Sequence, residues 1–296
     1  MGRIALIGSN GQLGTDIARL WPASNLSRRG DELISLTHAD IDVTNPTMVR
    51  SVLDGIRPNL VINTAAFHRV DDCEVQPLEA FQVNGLGVKY LAEACRELGA
   101  VLMHFSTDYV FDGRRVSPYS EDDPPNPVSA YGTSKTAGEH ILRYMLPDNH
   151  ILVRSSGLYG VAGASGKGGN FVETMLRLAR QGQPIRVVDD QVCAPTYTQD
   201  IAETLFVALE RHARGTLHVT NAGQCSWYQF AEEIFNLTGA RPDFGPTSSE
   251  AFGALARRPA YSVLANNKLR DLGIPQPRHW REALSHYLRA KGHVPG

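Results

Sequence analysis

The feature that most constrains this chain is a glycine turn, Gly8-Ser-Asn-Gly11-Gln-Leu-Gly14, set between a short apolar strand at Arg3 to Ile7 and a helix at Gln12 to Leu20. Leu13, Ile17 and Leu20 fall on one face of that helix, which can therefore pack back on the strand. In such a turn the glycines let the backbone approach a pyrophosphate, and the helix N-terminus offers unpaired N–H groups and positive potential. The spacing is GxxGxxG, one residue different from the GxGxxG form. A dinucleotide site is the expectation; the competing reading is a tight packing turn that holds no ligand.

Downstream, strand-length apolar runs alternate with stretches of helical period, the pattern of βαβ units around a parallel sheet. Strands are expected at Glu32 to Leu36, Leu60 to Asn63, Val101 to Ser106 and Ile151 to Arg154, and helices at about Pro46 to Ile56, Leu78 to Leu98 and Ser129 to Met145. Pro124, Pro125 and Pro127 break the chain before the last of these, because proline opens a helix but does not continue one. After about residue 155 comes a Gly-rich stretch, Gly157 to Gly169, then helices at Asn170 to Gln181, Gln199 to Arg211, Trp227 to Leu237 and Trp280 to Leu288. The sequence thus predicts an α/β protein: a Rossmann-type doubly wound parallel sheet over residues 1–155 and a smaller mixed α/β substrate lobe over residues 156–296. Strand-like segments near 184–188 and 216–219 could rejoin the sheet.

Composition narrows the function. With 29 Lys and Arg against 31 Asp and Glu the chain lacks the basic excess of a nucleic-acid binder, so no nucleic acid is expected. No apolar run reaches the roughly 18 residues a membrane helix needs, and the N-terminus reads as a strand and turn, so no membrane partner and a cytoplasmic location are expected. Cys73, Cys95, Cys193 and Cys225 form no short-spaced pair of the zinc or redox kind and are expected to be buried. Asp71, Asp72 and Glu74 could suggest a divalent cation, but acids also suit the positive end of a helix, and no metal ligand is assigned.

A second motif, Tyr131-Gly-Thr-Ser-Lys135, lies inside the helix that follows the proline run. Residues four apart share a helix face, so phenol and ammonium can meet at one site, where the ammonium would favour phenolate and make a usable acid. Ser106-Thr107-Asp108 ends a strand earlier in the chain. Taken with the glycine turn, these residues resemble the extended short-chain dehydrogenase/reductase family, and more closely its dTDP-4-dehydrorhamnose reductase branch. The resemblance also runs through Asp42-Val-Thr44, Asn63-Thr-Ala-Ala66, Val70-Asp71, Asn170-Phe171, Asp189-Asp-Gln191, Pro195-Thr196 and Arg258-Pro259, and is most specific at Ser106-Thr-Asp-Tyr-Val-Phe-Asp-Gly113.

The resemblance implies NAD(P)H-dependent reduction of the C4 keto group of a nucleotide-linked 6-deoxy-4-keto sugar, with dTDP-4-dehydro-L-rhamnose as the foremost substrate. Its catalytic set would be Tyr131 as proton donor, Thr107 as a hydrogen-bond donor to the same oxygen, and Lys135 on the nicotinamide ribose. Cofactor contacts would be Gly11, Gln12 and Leu13 at the pyrophosphate, in a turn that includes Gly8, Asn10 and Gly14. Asp42 and Val43 would meet the adenine, Ala65, Ala66 and Phe67 would line the next strand end, and Tyr131 and Lys135 would complete the site. Substrate contacts would be His68, Val70, Thr107, Asp108, Tyr131, Gly157 and Asn170, with Arg154, Arg257 and Arg258 as weaker candidates for a diphosphate clamp.

NADPH is favoured, with NADH open: an acid near the end of the second strand would favour a free ribose, and Asp40 lies only a little beyond Leu36-Thr37-His38, while Arg28 and Arg29 could meet a 2′-phosphate or simply be solvated; Mg2+, associated with a dimer contact in some members, is left open, as is a monomer or homodimer. Two departures concern the sugar. Gly157 stands where the branch usually carries Trp, and the segment from Val161 to Gly169 is longer than expected and could act as a lid. The alternatives are a dinucleotide-binding regulatory subunit similar to the β subunit of methionine adenosyltransferase, and another epimerase, dehydratase or reductase of nucleotide sugars. Against a dehydratase, Thr107-Asp108-Tyr109 supplies one of the two acids usual there.

Overall fold

The computed structural model describes residues 2–162 and 169–295. Most of the segment read as a lid, residues 163–168, lies outside the described residues.

Five strands open the chain: β1 (Arg3–Ile7), β2 (Glu32–Leu36), β3 (Leu60–Asn63), β4 (Val101–Thr107) and β5 (His150–Ser155). Interleaved with them are helices α1 (Gln12–Leu20), α2 (Pro46–Ile56), α3 (Gly87–Leu98) and α4 (Ala130–Met145). Local chemistry sets the helix starts. Asn45 accepts from the Met48 N–H ahead of α2, and Ser129 accepts from the Gly132 N–H ahead of α4. All pairings in the six-stranded sheet are parallel, in the order β7-β5-β4-β3-β1-β2, where β7 is Gly215–His218.

Alternating strand residues feed two cores. Leu6, Ile62, Met103 and Val153 pack with Leu13 and Ile17 of α1 and with Ile201 and Leu205 of α6 (Thr198–Glu210). Ala5, Val61, Leu102 and Leu152 pack on the other face with Leu53, Leu91 and Leu142. Both faces are covered, which is what a doubly wound parallel sheet requires. A third core holds helices α5 (Phe171–Gln181), α7 (Trp227–Thr238) and α8 (Trp280–Ala290) around Tyr159, Tyr197 and Trp280. Trp21 packs edge-on against Phe206, so neither it nor Trp280 faces a ligand.

Two expectations change. The helix read from Leu78 to Leu98 is broken into Pro77–Phe81, a π-helical turn at Gln82–Leu86, and α3. The wide turn presents Asn84, whose Oδ1 accepts from the Phe67 N–H while its Nδ2 donates to the Phe67 carbonyl and to Ser134 Oγ. Of the two later segments, 216–219 does join the main sheet as β7 beside β5. By contrast, β6 (Ile185–Val188) pairs with β8 (Phe244–Thr247), because Ile185 and Val187 are committed to the third core.

Arg154, a candidate for a diphosphate, instead points into the protein. It is 1% exposed, and its Nε and Nη2 donate to Glu139 Oε1 and Oε2 at 2.8 and 2.7 Å, tying β5 to α4. Removing one partner strands a buried charge, which costs more than the pair itself contributes. Glu139→Ala is expected to lose about 3–5 kcal/mol in denaturant unfolding. A double change of Glu139→Leu with Arg154→Met should recover most of that loss.

Candidate active site

A cavity of about 940 Å³ opens at the carboxyl ends of β1, β3 and β4, where the strand order reverses between β1 and β3. Ligands of open parallel sheets sit at that reversal, since the loops on either side diverge there. Gly8 holds a φ of +77°, a region costly to side chains, so the chain can turn sharply from β1 into α1. Gly11 caps α1 with no side-chain partner, which leaves the first helical N–H groups to an incoming group. Gln12 Oε1 is buried with no hydrogen-bond partner among the described residues. A bare helix N-terminus and a glycine cradle fit a dinucleotide pyrophosphate.

Gly8, Asn10, Gly11, Gln12, Leu13, Asp42, Val43, Ala65, Ala66 and Phe67 line the cavity, as do His68, Val70, Thr107, Asp108, Tyr131, Lys135, Gly157 and Asn170. Gly14 stands behind the wall instead. A Cβ there would overlap the Gly8 carbonyl, so this glycine allows the helix to close on the turn and does not touch a ligand. The arginines read as a phosphate site, Arg28 and Arg29, are exposed and off the cavity, whereas His38 lines it. Asp40 does not line the cavity; its Oδ2 accepts from the Thr37 N–H and hydroxyl at 2.8 and 2.7 Å. Arg258 pairs with Asp71 at 2.9 Å, Arg69 pairs with Asp72, and Glu74 accepts from the Ala130 N–H, so these acids brace the wall.

The polar centre is buried. Thr107 Oγ1 donates to Asp108 Oδ1 at 3.0 Å, accepts from the Tyr109 N–H at 3.2 Å and contacts the Tyr131 hydroxyl. Asp108 Oδ2 accepts from Ser156 and Ser262 at 2.7 and 2.6 Å, and burial still pushes its carboxyl up against the three hydroxyls that draw it down. Burial pushes the Tyr131 phenol up as well, helped by Asp108 and opposed by Thr107, so it stays protonated. The expectation that Lys135 makes Tyr131 acidic is not met here. Lys135 Nζ lies 3.3 Å from His104 Nε2, and burial brings the ammonium down to about 8 against the opposing pull of Glu139.

On the sugar side, Asn170 is committed to structure: its Oδ1 accepts from the Glu173 N–H and its Nδ2 donates to the Gly160 carbonyl and to Tyr287. Trp227, read as packing, lines the cavity and reaches toward Gly157; a Cβ on Gly157 would stand 3.3 Å from Trp227 Cη2 and 3.1 Å from Pro195 Cα. An aromatic from α7 thus stands at the wall where position 157 has no side chain. His104 was also missed, although one polar residue inside the apolar run Val101-Leu-Met-His-Phe105 was a visible signal.

Because Gly157 has a φ of +55°, Gly157→Trp is expected to be less stable by at least about 1–2 kcal/mol, read as a lower Tm. The same cavity yields a pH expectation. Unfolded Lys135 titrates near 10.5 and the folded residue at about 8, so between those values the unfolded chain binds more protons and wild-type stability rises with pH. Lys135→Met should then be more stable than wild type by roughly 2–4 kcal/mol at neutral pH, an advantage that shrinks above pH 8 in thermal unfolding.

Residues 2–292 match the family model described as RmlD substrate binding domain. The spore coat polysaccharide biosynthesis protein SpsK of Bacillus subtilis is 41% identical, covering 98% of each chain. A dTDP-4-dehydrorhamnose reductase of Streptomyces griseus is 40% identical, covering 99% of this chain and 97% of its own. The crystal structure of the dTDP-4-dehydrorhamnose reductase of Bacillus anthracis in complex with NADP superposes with a TM-score of 0.90 at 36% identity, covering 98% and 99%.

Proposed function

The chain belongs to the family described as RmlD substrate binding domain, and from that premise we propose that it reduces the C4 keto group of a dTDP-linked 4-keto-6-deoxy sugar with NADPH, dTDP-4-dehydro-L-rhamnose being the foremost substrate. The observation that carries the reading is the group of Thr107, Tyr131 and Lys135, the first and last of them buried, beside a glycine cradle in one cavity. Residues 1–155 hold the cofactor, and residues 156–296 mainly hold the nucleotide sugar. Among the described residues no helix is long and apolar enough to cross a membrane, which accords with a small-molecule substrate met in water.

Bound NADPH supplies the hydride. The protein's work is to place the carbonyl and deliver a proton. Burial keeps the Tyr131 phenol protonated at neutral pH, so it is loaded as an acid before the sugar arrives. Thr107 has one proton, committed to Asp108, accepts from the Tyr109 N–H and lies beside the phenol. In this arrangement Thr107 lies beside the Tyr131 phenol and orients it, a role that differs from direct donation to the sugar oxygen. Once the phenol has given its proton to the sugar, Thr107 can turn from Asp108 and donate to the phenolate. Lys135, as ammonium, stabilises that phenolate and holds the nicotinamide ribose. Trp227 and Gly157 shape the sugar wall.

Tyr131→Phe should lower kcat by about 10²–10⁴-fold while leaving NADPH affinity within a few-fold of wild type. The assay is sugar-dependent loss of NADPH absorbance, alongside dinucleotide titration. Turnover by Tyr131→Phe at the wild-type rate would reject the acid assignment. If the wild type binds NADPH yet fails to oxidise it with this sugar, the substrate is a different keto sugar.

A further inference from the structure

Lys135 has a neighbour that the reaction as described does not use. His104 is fully buried on β4, opposite Asn63 in the register of β3 and β4. Asn63 Oδ1 accepts from the Ala65 N–H at 3.1 Å, which fixes the amide orientation. Asn63 Nδ2 then faces His104 Nδ1 at 3.1 Å and donates to it. Burial, with Lys135 beside it, keeps the imidazole neutral, so the ring has one proton. Since Nδ1 is accepting, that proton sits on Nε2 and points at Lys135 Nζ, 3.3 Å away.

An ammonium has no lone pair to receive an N–H. The contact is a hydrogen bond only when Lys135 is a neutral amine, and it becomes repulsive once Nζ is protonated. We propose that His104 is a positioning residue that favours Lys135 as the amine in the free enzyme at alkaline pH and releases it toward the nicotinamide ribose as the ammonium, so that cofactor capture is there coupled to proton uptake. The inference rests on the proposed role of Lys135 at the ribose.

The surrounding charges leave His104 this role. On the same helix Glu139 favours the ammonium, but its carboxylate is held by Arg154 from β5 and by Arg143. Tyr131, protonated, carries no charge, and Asp108 at the end of β4 is saturated by three hydroxyls. From the short helix Val70–Val75, Glu74 is bound to the Ala130 N–H, and Cys73 is fully buried. From the π-helical turn, Asn84 meets Ser134 and carries no charge.

The test counts protons. NADP+ binding is followed by calorimetry near pH 9 in buffers of different ionisation enthalpy, where the free Lys135 is mostly amine and the 2′-phosphate, with a second pKa of about 6, is fully ionised. Wild type is expected to take up more than about half a proton per NADP+, and its affinity should fall by up to about tenfold per pH unit above 8. His104→Gln, which can offer Oε1 to the ammonium, and Asn63→Asp, which would demand a proton on Nδ1 and turn Nε2 into an acceptor, should each reduce uptake to less than about a quarter of a proton, with a flatter pH dependence. A histidine that serves only packing would not move this readout.

Binding without uptake in wild type, or full uptake retained in both variants, overturns the proposal while leaving the cofactor reading intact. Absence of NADP+ binding overturns both. Should the variants fail to fold, ¹⁵N shifts of wild-type His104 decide: an unprotonated Nδ1 supports the proposal and a protonated Nδ1 overturns it.

Discussion

The parallel pairing of β3 with β4 is the contact on which the chemistry of this protein depends. It sets Asn63 beside His104, ends β4 at Thr107 and leaves both strand ends under the start of α4, where Tyr131 and Lys135 lie a helical turn apart. The same pairing continues through β1 to the glycine turn. A slip of one residue in this register would carry His104 to the opposite face of the sheet and leave Lys135 without its partner.

Around that contact the protein keeps an unusual amount of polarity out of water. Lys135, Glu139, Arg154, Asp108 and His104 are each no more than 2% exposed. None is left isolated: Arg154 and Glu139 neutralise each other, hydroxyls saturate Asp108, and His104 is neutral between two nitrogen partners. Such arrangements stabilise little by themselves, because desolvation offsets the Coulomb attraction. Their effect is to fix protonation states and directions. A phenol held protonated and a lysine poised between amine and ammonium suit a site that must give one proton as it receives a hydride.

The sugar side follows a different logic. Its walls come from Gly157 after β5, from Phe171 of α5, from Cys193 and from Trp227 of α7, so the pocket is assembled from distant parts of the chain. Trp227 gives this side of the cavity a flat aromatic surface beside Gly157. Relatives at about 40% identity align with the chain over nearly their whole length.

By itself the sequence determined the α/β class, the βαβ order and the positions of the main-sheet strands and the longer helices, because these follow from short-range periodicity, caps and glycine turns. It also carried Thr107, Tyr131 and Lys135 as a set, through spacing on one helix and one strand end together with the family resemblance. Tertiary structure alone decided that Arg154 serves Glu139, that Gly14 packs behind the turn, that β6 pairs outside the main sheet, that Trp227 stands at the cavity, and that His104 meets Lys135. Those outcomes depend on which side chains meet across gaps of tens to more than a hundred residues, and local pattern contains no term for such encounters. The protonation of Lys135 belongs with them, since it is set by burial and by a tautomer that a backbone N–H two residues beyond Asn63 dictates.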